Sequence, residues 1–305
     1  MKQGSLATPR FLVYGALVLV QVFFGVHYLA AKVVLREIPP AMWALIRVSA
    51  AAALLLATVA LSGKQLPRSP TVLARLALYA IFGVVINQLC FVEGLSRTTP
   101  GHSSILMVAI PVGTLLFAVI LGAERFTLRK AASFAVALLG VLLVLRPTGL
   151  AEVSLTGDLL IVTNALSYSL FLVISKRLLE RVDALAATAV LLAWGAVGML
   201  LPAAFAFDEF DAASVSPLAW TLGALIVVFP TALAYLLNFW ALARVESSLV
   251  AFFIYLQPLI ATTLSVVFFG ERLGAGMLAG ATLIFVAVWL TLRRTGSDYA
   301  LSHRF

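Results

Sequence analysis

Residues 121–125 read LGAER, and residues 268–272, which lie 147 positions further along the chain, read FFGER. The same shift lays the stretch 87–146 over the stretch 234–293 without a gap. Residue types that are scarce in this apolar chain also coincide, namely Arg97 with Arg244 and Pro111 with Pro258. A long internal repeat constrains architecture more strongly than any local pattern. The sequence therefore predicts two similar halves, residues 1–150 and 151–305.

The composition of the chain is strongly apolar. Of its 305 residues, 63% are hydrophobic and 11% are charged, and the mean hydropathy is +1.09. Soluble domains carry about 25% charged residues. The net charge of +8 does not indicate nucleic-acid binding, because the basic residues lie at the ends of apolar runs rather than interleaved with aromatics. Cys90 is the one cysteine, which excludes an internal disulfide and a cysteine metal site.

Ten runs of the chain are long and apolar enough to be helices that cross a lipid bilayer, which takes about 20 residues. The first run carries His27 and Lys32 and is too long for the apolar part of a cleaved signal peptide, so we expect it to be retained. The sequence predicts an all-α integral membrane protein with crossings at 11–35, 41–62, 71–95, 99–121, 127–146, 157–178, 184–207, 217–243, 247–270 and 275–293.

The distribution of lysine and arginine predicts the orientation of these crossings. With the amino terminus in the cytoplasm, about fifteen basic residues fall on the inner side, and four fall outside: Arg36, Arg97, Arg146 and Arg272. Basic residues concentrate on the cytoplasmic side of membrane proteins. We therefore expect a multi-pass protein of the cell (inner) membrane with both termini in the cytoplasm. Because each half has five crossings, the second half enters from the opposite face. Such inverted repeats are typical of transporters that work by alternating access.

Both halves resemble the EamA-type repeat of the drug/metabolite transporter superfamily. The resemblance rests on small residues followed by Pro111 and residues 121–125, and on Pro258 followed by residues 269–272. The opening of the chain is similar as well, with Phe24-Gly25-Val26-His27-Tyr28, then Lys32 and Arg47. The resemblance implies two five-helix halves and export or exchange of small metabolites, amino acids or drugs. It also implies a central cavity lined by helices one to four and six to nine.

Polar and aromatic residues recur at helical spacing within several of the runs. At membrane depth such groups usually face protein or a water-filled cavity. Phe24 corresponds to Tyr168 by the 144-residue offset that carries Lys32 onto Lys176. We predict that a substrate cavity includes Gln21, Phe24, Tyr28, Asn87, Gln88, Phe91, Asn164, Tyr168, Tyr235, Asn238, Tyr255 and Gln257. The alternative is that these side chains pack and hydrogen-bond between helices.

Two titratable residues are candidates for coupling transport to a proton gradient. His27 lies in an apolar interior and titrates near neutral pH, although a hydrogen-bonded histidine with no such role is the plainer interpretation. Glu93 is the second candidate, and a local ion pair with Arg97, four residues on, is its alternative. We expect His102 to be exposed at the interface. Arg47 could extend to the membrane interface, pair with a carboxylate or meet an anionic substrate, and we favour a structural role.

Prolines inside the runs are candidates for gating. A proline leaves the carbonyl four residues earlier without its helical partner, so Pro111 and Pro258 would free the carbonyls of Met107 and Ile254. Pro230 adds a third break. These sites could permit movement or simply form static kinks. The pairs Glu124-Arg125 and Glu271-Arg272 sit at helix ends, where we expect them to lock turns.

The sequence favours a secondary transporter of small organic solutes over two alternatives, a passive channel and an intramembrane enzyme that acts on lipid. It has no Walker-type loop and no His-Glu-x-x-His pair, so we expect no cofactor and no metal. A nearly uncharged aromatic cavity suggests neutral, zwitterionic or amphipathic solutes. The partners that we expect are the substrate and the bilayer, without nucleic acid. Gly276 and Gly280 could mark close packing within the bundle or a homodimer contact.

Overall fold

A computed structural model describes residues 10–123, 128–144, 154–245, 247–270 and 272–292. Every regular element in those ranges is helical. The helices are α1 (Arg10–Val34), α2 (Pro40–Leu61), α3 (Pro70–Ser96), α4 (Pro100–Ile120), α5 (Leu128–Val144), α6 (Leu155–Leu179), α7 (Ala184–Ala204), α8 (Pro217–Leu242), α9 (Leu249–Phe269) and α10 (Ala275–Leu292). Their bounds lie close to those of the ten predicted runs.

Eight of these helices are long and apolar enough to cross a membrane: α1 to α4 and α6 to α9. The described parts of α5 and α10 are shorter. An all-helical, multi-span membrane fold is therefore confirmed, while the count of ten crossings and the inverted repeat stay predictions. The Glu124-Arg125 and Glu271-Arg272 turns fall outside the described residues, except for Arg272, which is exposed.

Irregular turns interrupt four helices at positions related by the 147-residue shift. In α3, residues Ile81–Ile86 form a π-helix, and in α8, residues Val227–Leu233 do the same. In α4, the regular helix breaks at Met107 and Val108, and in α9, a 3₁₀ turn occupies Phe253–Tyr255. Segments of this kind are uncommon inside helices and often mark functional sites.

Proline chemistry explains three of these breaks. Pro111 and Pro258 follow the breaks in α4 and α9, and Pro230 lies within the π-helix of α8. Because Pro111 has no N–H, the Met107 carbonyl would lose its helical partner. It instead accepts a hydrogen bond from the Ile110 N–H at 3.0 Å. That bond occupies one of the two lone pairs of the carbonyl oxygen.

The helices pack mainly across the two halves. Helix α1 contacts α8 and α9, and α6 contacts α3 and α4 in the equivalent way. Helix α2 packs on α7, and α5 packs on α10 at one edge of the bundle. Exchanging the two halves leaves this set of contacts unchanged.

Small residues allow the closest of these crossings. A Cβ atom at Gly25 in α1 would lie 2.7 Å from the Ile260 side chain in α9. At the equivalent crossing of α4 and α6, a Cβ atom at Gly113 would lie 2.6 Å from the Ser169 hydroxyl oxygen. The small residue is Gly25 of α1 in the first crossing and Gly113 of α4 in the second. Each glycine is what allows its helix pair to approach closely.

Candidate functional site

A cavity lies between the halves, near the middle of seven helices: α1 to α4, α6, α8 and α9. Its empty volume, including space open to solvent, is about 530 Å³. The side chains that line it are Gln21, Phe24, His27, Tyr28, Arg47, Asn87, Gln88, Phe91, Met107, Ile110, Asn164, Tyr168, Tyr235, Asn238, Ile254 and Gln257. Helix α7 contributes no lining residue and packs behind the wall, where Gly195 meets Val84 of α3.

The structure places eleven of the twelve predicted substrate-binding residues in this lining. Tyr255 is the exception, because its ring packs against Phe285 of α10 with ring centroids 6.1 Å apart. The 3₁₀ turn at Phe253–Tyr255 changes the helical phase there, so that Tyr255 faces outward while Ile254 faces the cavity.

One polar network in the lining joins α1 to α9. The Tyr28 hydroxyl donates to Gln257 Oε1 at 3.0 Å, and Gln257 Nε2 donates to Gln21 Oε1 at 2.6 Å. All three side chains are buried. The amide of Gln257 therefore satisfies two residues of the opposite half at once, which fixes their orientation at the cavity wall.

A second network joins α3 to α8. Gln88 Nε2 donates to the Tyr235 hydroxyl, and these two residues are 147 positions apart, so each occupies the position of the other in the repeat. The Tyr235 hydroxyl lies 3.2 Å from Asn87 Oδ1 and 3.2 Å from the Gly83 carbonyl oxygen. The Asn87 carbonyl accepts from Asn164 Nδ2. The interface between the halves thus runs through a connected set of hydrogen bonds.

The two halves present different chemistry at matched positions of the lining. Tyr168 accepts a hydrogen bond from Asn238 Nδ2. The corresponding residues of the first half, Phe24 and Phe91, have no polar atom on their side chains. Phe91 instead stacks on the His27 ring, with centroids 5.1 Å apart. At these two matched positions the first half is therefore apolar and the second half is polar.

Arg47 lies in the cavity wall, a position that the alternative of contact with an anionic substrate requires and the favoured structural role does not. It is fully buried (0% exposed), and its Nη1 lies 3.1 Å from His27 Nε2. Because a guanidinium only donates, His27 Nε2 accepts this bond and the proton of the neutral ring sits on Nδ1. Arg47 Nε and Nη2 have no hydrogen-bond partner among the described residues.

The other predicted ionic residues lie outside the cavity. Glu93 pairs with Arg97 at 2.8 Å, as its alternative interpretation predicted. Lys32 donates to the carbonyls of Leu95, Ser96 and Thr98 at the end of α3, at 2.7 to 3.3 Å. Neither Glu93 nor Lys32 reaches the lining. The gating prolines Pro111, Pro230 and Pro258 lie on lining helices, but their side chains are not part of the wall.

The prediction that His102 is exposed at the interface is wrong. His102 is 2% exposed, and its Nδ1 lies 2.8 Å from Asp158 Oδ1 at the start of α6. The Thr98 hydroxyl donates to the same carboxylate oxygen at 3.0 Å. The position of His102 near a helix end suggested exposure. The carboxylate of Asp158 comes from the other half, however, and only the tertiary fold brings it close to His102.

The sequence profile of one family matches nearly the whole chain. The EamA-like transporter family matches twice, at residues 12–146 and 155–293. The chain belongs to this family. It is a multi-span membrane protein of the drug/metabolite transporter superfamily, and its family indicates transport of small molecules across a membrane rather than catalysis.

Curated relatives are similar over nearly the full length. The chain is 25% identical over 275 residues to the "Uncharacterized transporter YyaM" of Bacillus subtilis, covering 88% of this chain and 89% of that protein. It is also 25% identical over 280 residues to the "Uncharacterized inner membrane transporter YedA" of Escherichia coli strain K12, covering 92% and 90%.

A more distant likeness extends to plants and to a solved structure. The "WAT1-related protein At3g02690, chloroplastic" of Arabidopsis thaliana is 24% identical over 90% of this chain and 68% of its own length. A solved structure described as "Crystal structure of protein" superposes with a TM-score of 0.65 at 17% identity, covering 96% and 98% of the two chains. At that identity the likeness supports the fold alone.

Proposed function

We propose that this protein is a secondary transporter that exports or exchanges small organic metabolites, amino acids or drugs by alternating access. The observation that carries the proposal is the cavity between the halves, to which both halves contribute polar and aromatic side chains. A solute bound there would contact both halves, so a change in their relative position would expose it to one side and then to the other.

The recurrent irregularities support the inverted repeat of two five-helix units, 1–150 and 151–305. Helix breaks at 81–86 and 227–233, and at 107–108 and 253–255, fall at matched positions. The packing of α1 on α8 and α9 also mirrors that of α6 on α3 and α4. Two copies of one unit related by a two-fold axis in the membrane plane account for both facts.

The proposed motion uses the breaks next to the prolines. Irregular turns at Pro111, Pro230 and Pro258 have fewer regular helical hydrogen bonds to disrupt than an unbroken helix has. They therefore allow the segments on either side of the cavity to tilt separately. The energy comes from the gradient of the solute itself or from a proton gradient, for which His27 is the candidate inside the cavity.

The membrane placement of the proposal follows from the basic residues. We propose an inner-membrane location with both termini in the cytoplasm, in line with the name of the YedA relative. Labelling of single cysteines placed at the two termini of a Cys90→Ser variant measures this directly. Labelling of the two ends from opposite sides of the membrane would contradict an even number of crossings.

A transport assay with matched variants tests the function. A resistance screen of cells with and without the gene, against toxic amino-acid analogues and antimetabolites, identifies a solute for counterflow in proteoliposomes. We expect saturable counterflow that falls about five- to tenfold in Gln21→Ala and Tyr168→Ala, because each loses a hydrogen bond within the lining worth about 1 to 1.5 kcal/mol.

The control is Tyr14→Ala, which changes an aromatic residue of α1 outside the lining and should leave counterflow unchanged. Membrane yield should be equal for all three variants. Flux that does not saturate would favour the passive channel instead. Full counterflow in both cavity variants would mean that the solute binds elsewhere.

A further inference from the structure

The unpaired edge of the Arg47 guanidinium is the least satisfied feature of the cavity. The side chain is fully buried, lines the cavity and donates through Nη1 to His27 Nε2. Its Nε and Nη2 atoms have no hydrogen-bond partner within the described part of the chain. A buried donor without a partner is costly, and a charged donor more so.

No residue of the lining compensates the charge of Arg47. The wall contains no aspartate and no glutamate. Four carboxylates outside the lining pair with another cation or with histidine: Glu93 with Arg97, Asp183 with Lys64, Glu180 with Lys176, and Asp158 with His102. Removing one partner of a buried ion pair typically costs about 3–5 kcal/mol. A buried arginine whose Nε and Nη2 have no protein partner is therefore expected where a ligand supplies the negative charge.

The two free nitrogens define the shape of that ligand. Nε and Nη2 lie on the same edge of the planar guanidinium, and each carries an N–H that points away from His27. This edge matches the two oxygens of a carboxylate through two parallel hydrogen bonds. Nη1, which donates to His27, lies outside this edge.

Two acceptors in the same wall are also unsatisfied. Gln88 Oε1 and Asn164 Oδ1 are buried and have no partner among the described residues. The amide nitrogens of both side chains are engaged, with Tyr235 and with the Asn87 carbonyl. The cavity thus offers a charged donor edge and two neutral acceptors, which is complementary to a solute with a carboxylate and an N–H or O–H group.

We propose that Arg47 binds a carboxylate of the transported solute through Nε and Nη2, and that the natural substrate is a small organic acid or zwitterion. The proposal rests on the proposed transporter function in one respect: it identifies the bound molecule as the transported solute. It changes the expected solutes from neutral, zwitterionic or amphipathic species to species that carry one carboxylate, either organic acids or zwitterions.

Thermal unfolding of the purified full-length protein in detergent tests the binding step without transport. The probes are 3-phenylpropanoate and its neutral isostere 3-phenylpropanamide. A ligand that binds only the folded state raises the unfolding temperature with its concentration. We expect the carboxylate to stabilise the wild type with an apparent affinity at least on the order of tenfold higher than that of the amide. Equal stabilisation by both probes would overturn the proposal.

Three variants separate binding from a structural role. Arg47→Met should abolish the shift caused by 3-phenylpropanoate, and it should leave the empty protein at least as stable as wild type, because an uncompensated buried charge is removed. Arg47→Lys should keep a weakened response. Arg36→Met is the matched control, since Arg36 is exposed and lies over the Phe269 ring, and it should respond like wild type.

A structural role for Arg47 gives the opposite result. In that case, Arg47→Met would lower the unfolding temperature of the empty protein and would still respond to the carboxylate. Sodium chloride at the same concentration is a further arm, and stabilisation equal to that by 3-phenylpropanoate would assign Arg47 to an inorganic anion and overturn the proposal. If Arg47→Met does not fold, the two probes on wild type and Arg47→Lys still decide.

Failure of the carboxylate site and failure of the transporter function give different results. Selective binding of the carboxylate without any counterflow would contradict transport and leave Arg47 as a carboxylate site. Saturable counterflow without selective binding would retain the transporter and overturn the role of Arg47.

Discussion

A lysine donates to helix-end carbonyls at two matched corners of the molecule. One corner is where α1 meets the end of α3, and the other is where α6 meets the end of α8. Lys32 donates to the carbonyls of Leu95, Ser96 and Thr98. Lys176 donates to those of Leu242 and Val245, at 3.3 and 2.8 Å. Residues 95 and 98 coincide with 242 and 245 under the 147-residue shift. Both halves therefore require a cation at this place, where the last carbonyls of a helix lack partners.

The same two corners differ in what lies beside the lysine. Next to Lys32, the carboxylate of Asp158 binds Thr98 and His102. The corresponding positions at the other corner are Tyr14, Val245 and Leu249, none of which can form this cluster. The shared lysine thus belongs to the fold of the repeat. The unshared cluster makes one end of the molecule different from the other, as expected if the two gates of a carrier open under different conditions.

The largest effect that we expect is from Asp158→Ala. The aspartate is 2% exposed and accepts from two buried side chains of α4 and its preceding turn. Removal of the carboxylate takes away the acceptor that the two buried groups share, which costs about 3 kcal/mol of unfolding free energy. Unfolding in mixed micelles measures the loss.

The matched change at the other corner is Tyr14→Ala. Tyr14 is partly exposed and makes no hydrogen bond in the described structure, although its ring packs near Phe253. A loss clearly smaller than that of Asp158→Ala is expected. Equal losses at both corners would remove the asymmetry on which this comparison depends.

A smaller and symmetric effect is expected for the two lysines. Lys32→Met and Lys176→Met each remove charge-assisted hydrogen bonds to helix-end carbonyls, worth about 1.5–3 kcal/mol in total because water replaces part of them. The two losses should be similar, since Lys32 donates to three carbonyls, and Lys176 donates to two carbonyls and also pairs with Glu180. The double variant should show the sum of the two losses, because the corners are distant and share no partner. A loss of unfolding free energy in only one of the two single variants would contradict a shared role of the lysines in the fold.

Much of the fold was predictable because apolar length and polar spacing are local properties. The ten apolar runs gave helix bounds close to those observed. Gln21, Phe24 and Tyr28 lie three or four residues apart, so a regular helix must place them on one face, and the cavity contains all three. The same reasoning worked for α3, α6 and α8, because their lining residues follow the irregular turns or lie in unbroken helix.

The errors arise where the backbone or the partner is not local. Tyr255 was predicted to line the cavity and does not, because it lies within a 3₁₀ turn that alters the helical phase. Gly83 occupies the π-helix of α3 where Pro230 occupies that of α8, and glycine gave no signal of the irregularity. Arg47 and His102 depend on which groups of distant helices meet them. A sequence pattern states the chemistry of a side chain but not whether a partner reaches it.

The smallest effect concerns the starts of α2 and α7, which are also matched by the 144-residue offset. Pro39 is the N-cap residue of α2 and its side chain makes no capping hydrogen bond. Asp183 precedes α7 and accepts from the N–H groups of Leu185 and Ala186, each at 3.1 Å. Its carboxylate also pairs with Lys64 at 2.7 Å, and the two side chains are 43% and 46% exposed.

The pKa of the Asp183 carboxyl reflects these contacts. Partial burial acts to raise it, but the hydrogen bond from Lys64 and those from the Ala186 and Leu185 N–H groups outweigh burial, so the net pKa lies below its usual value. A lowered folded-state pKa means that the carboxylate stabilises the fold above the unfolded value of about 3.9. That stability is lost as the pH falls through the folded-state pKa.

Three variants separate the cap from the charge. Asp183→Ala should cost about 1 kcal/mol through loss of the helix cap. Asp183→Asn keeps an acceptor and should cost only about 0.2–0.5 kcal/mol, as Lys64→Ala should, because the pair is exposed and screened. The difference in stability between wild type and Asp183→Asn should shrink as the pH falls below about 4 and stay constant between pH 6 and 8. A difference that grows on acidification would mean that Asp183 is stabilised in its protonated form, and the two helix starts would then not differ by a charged cap.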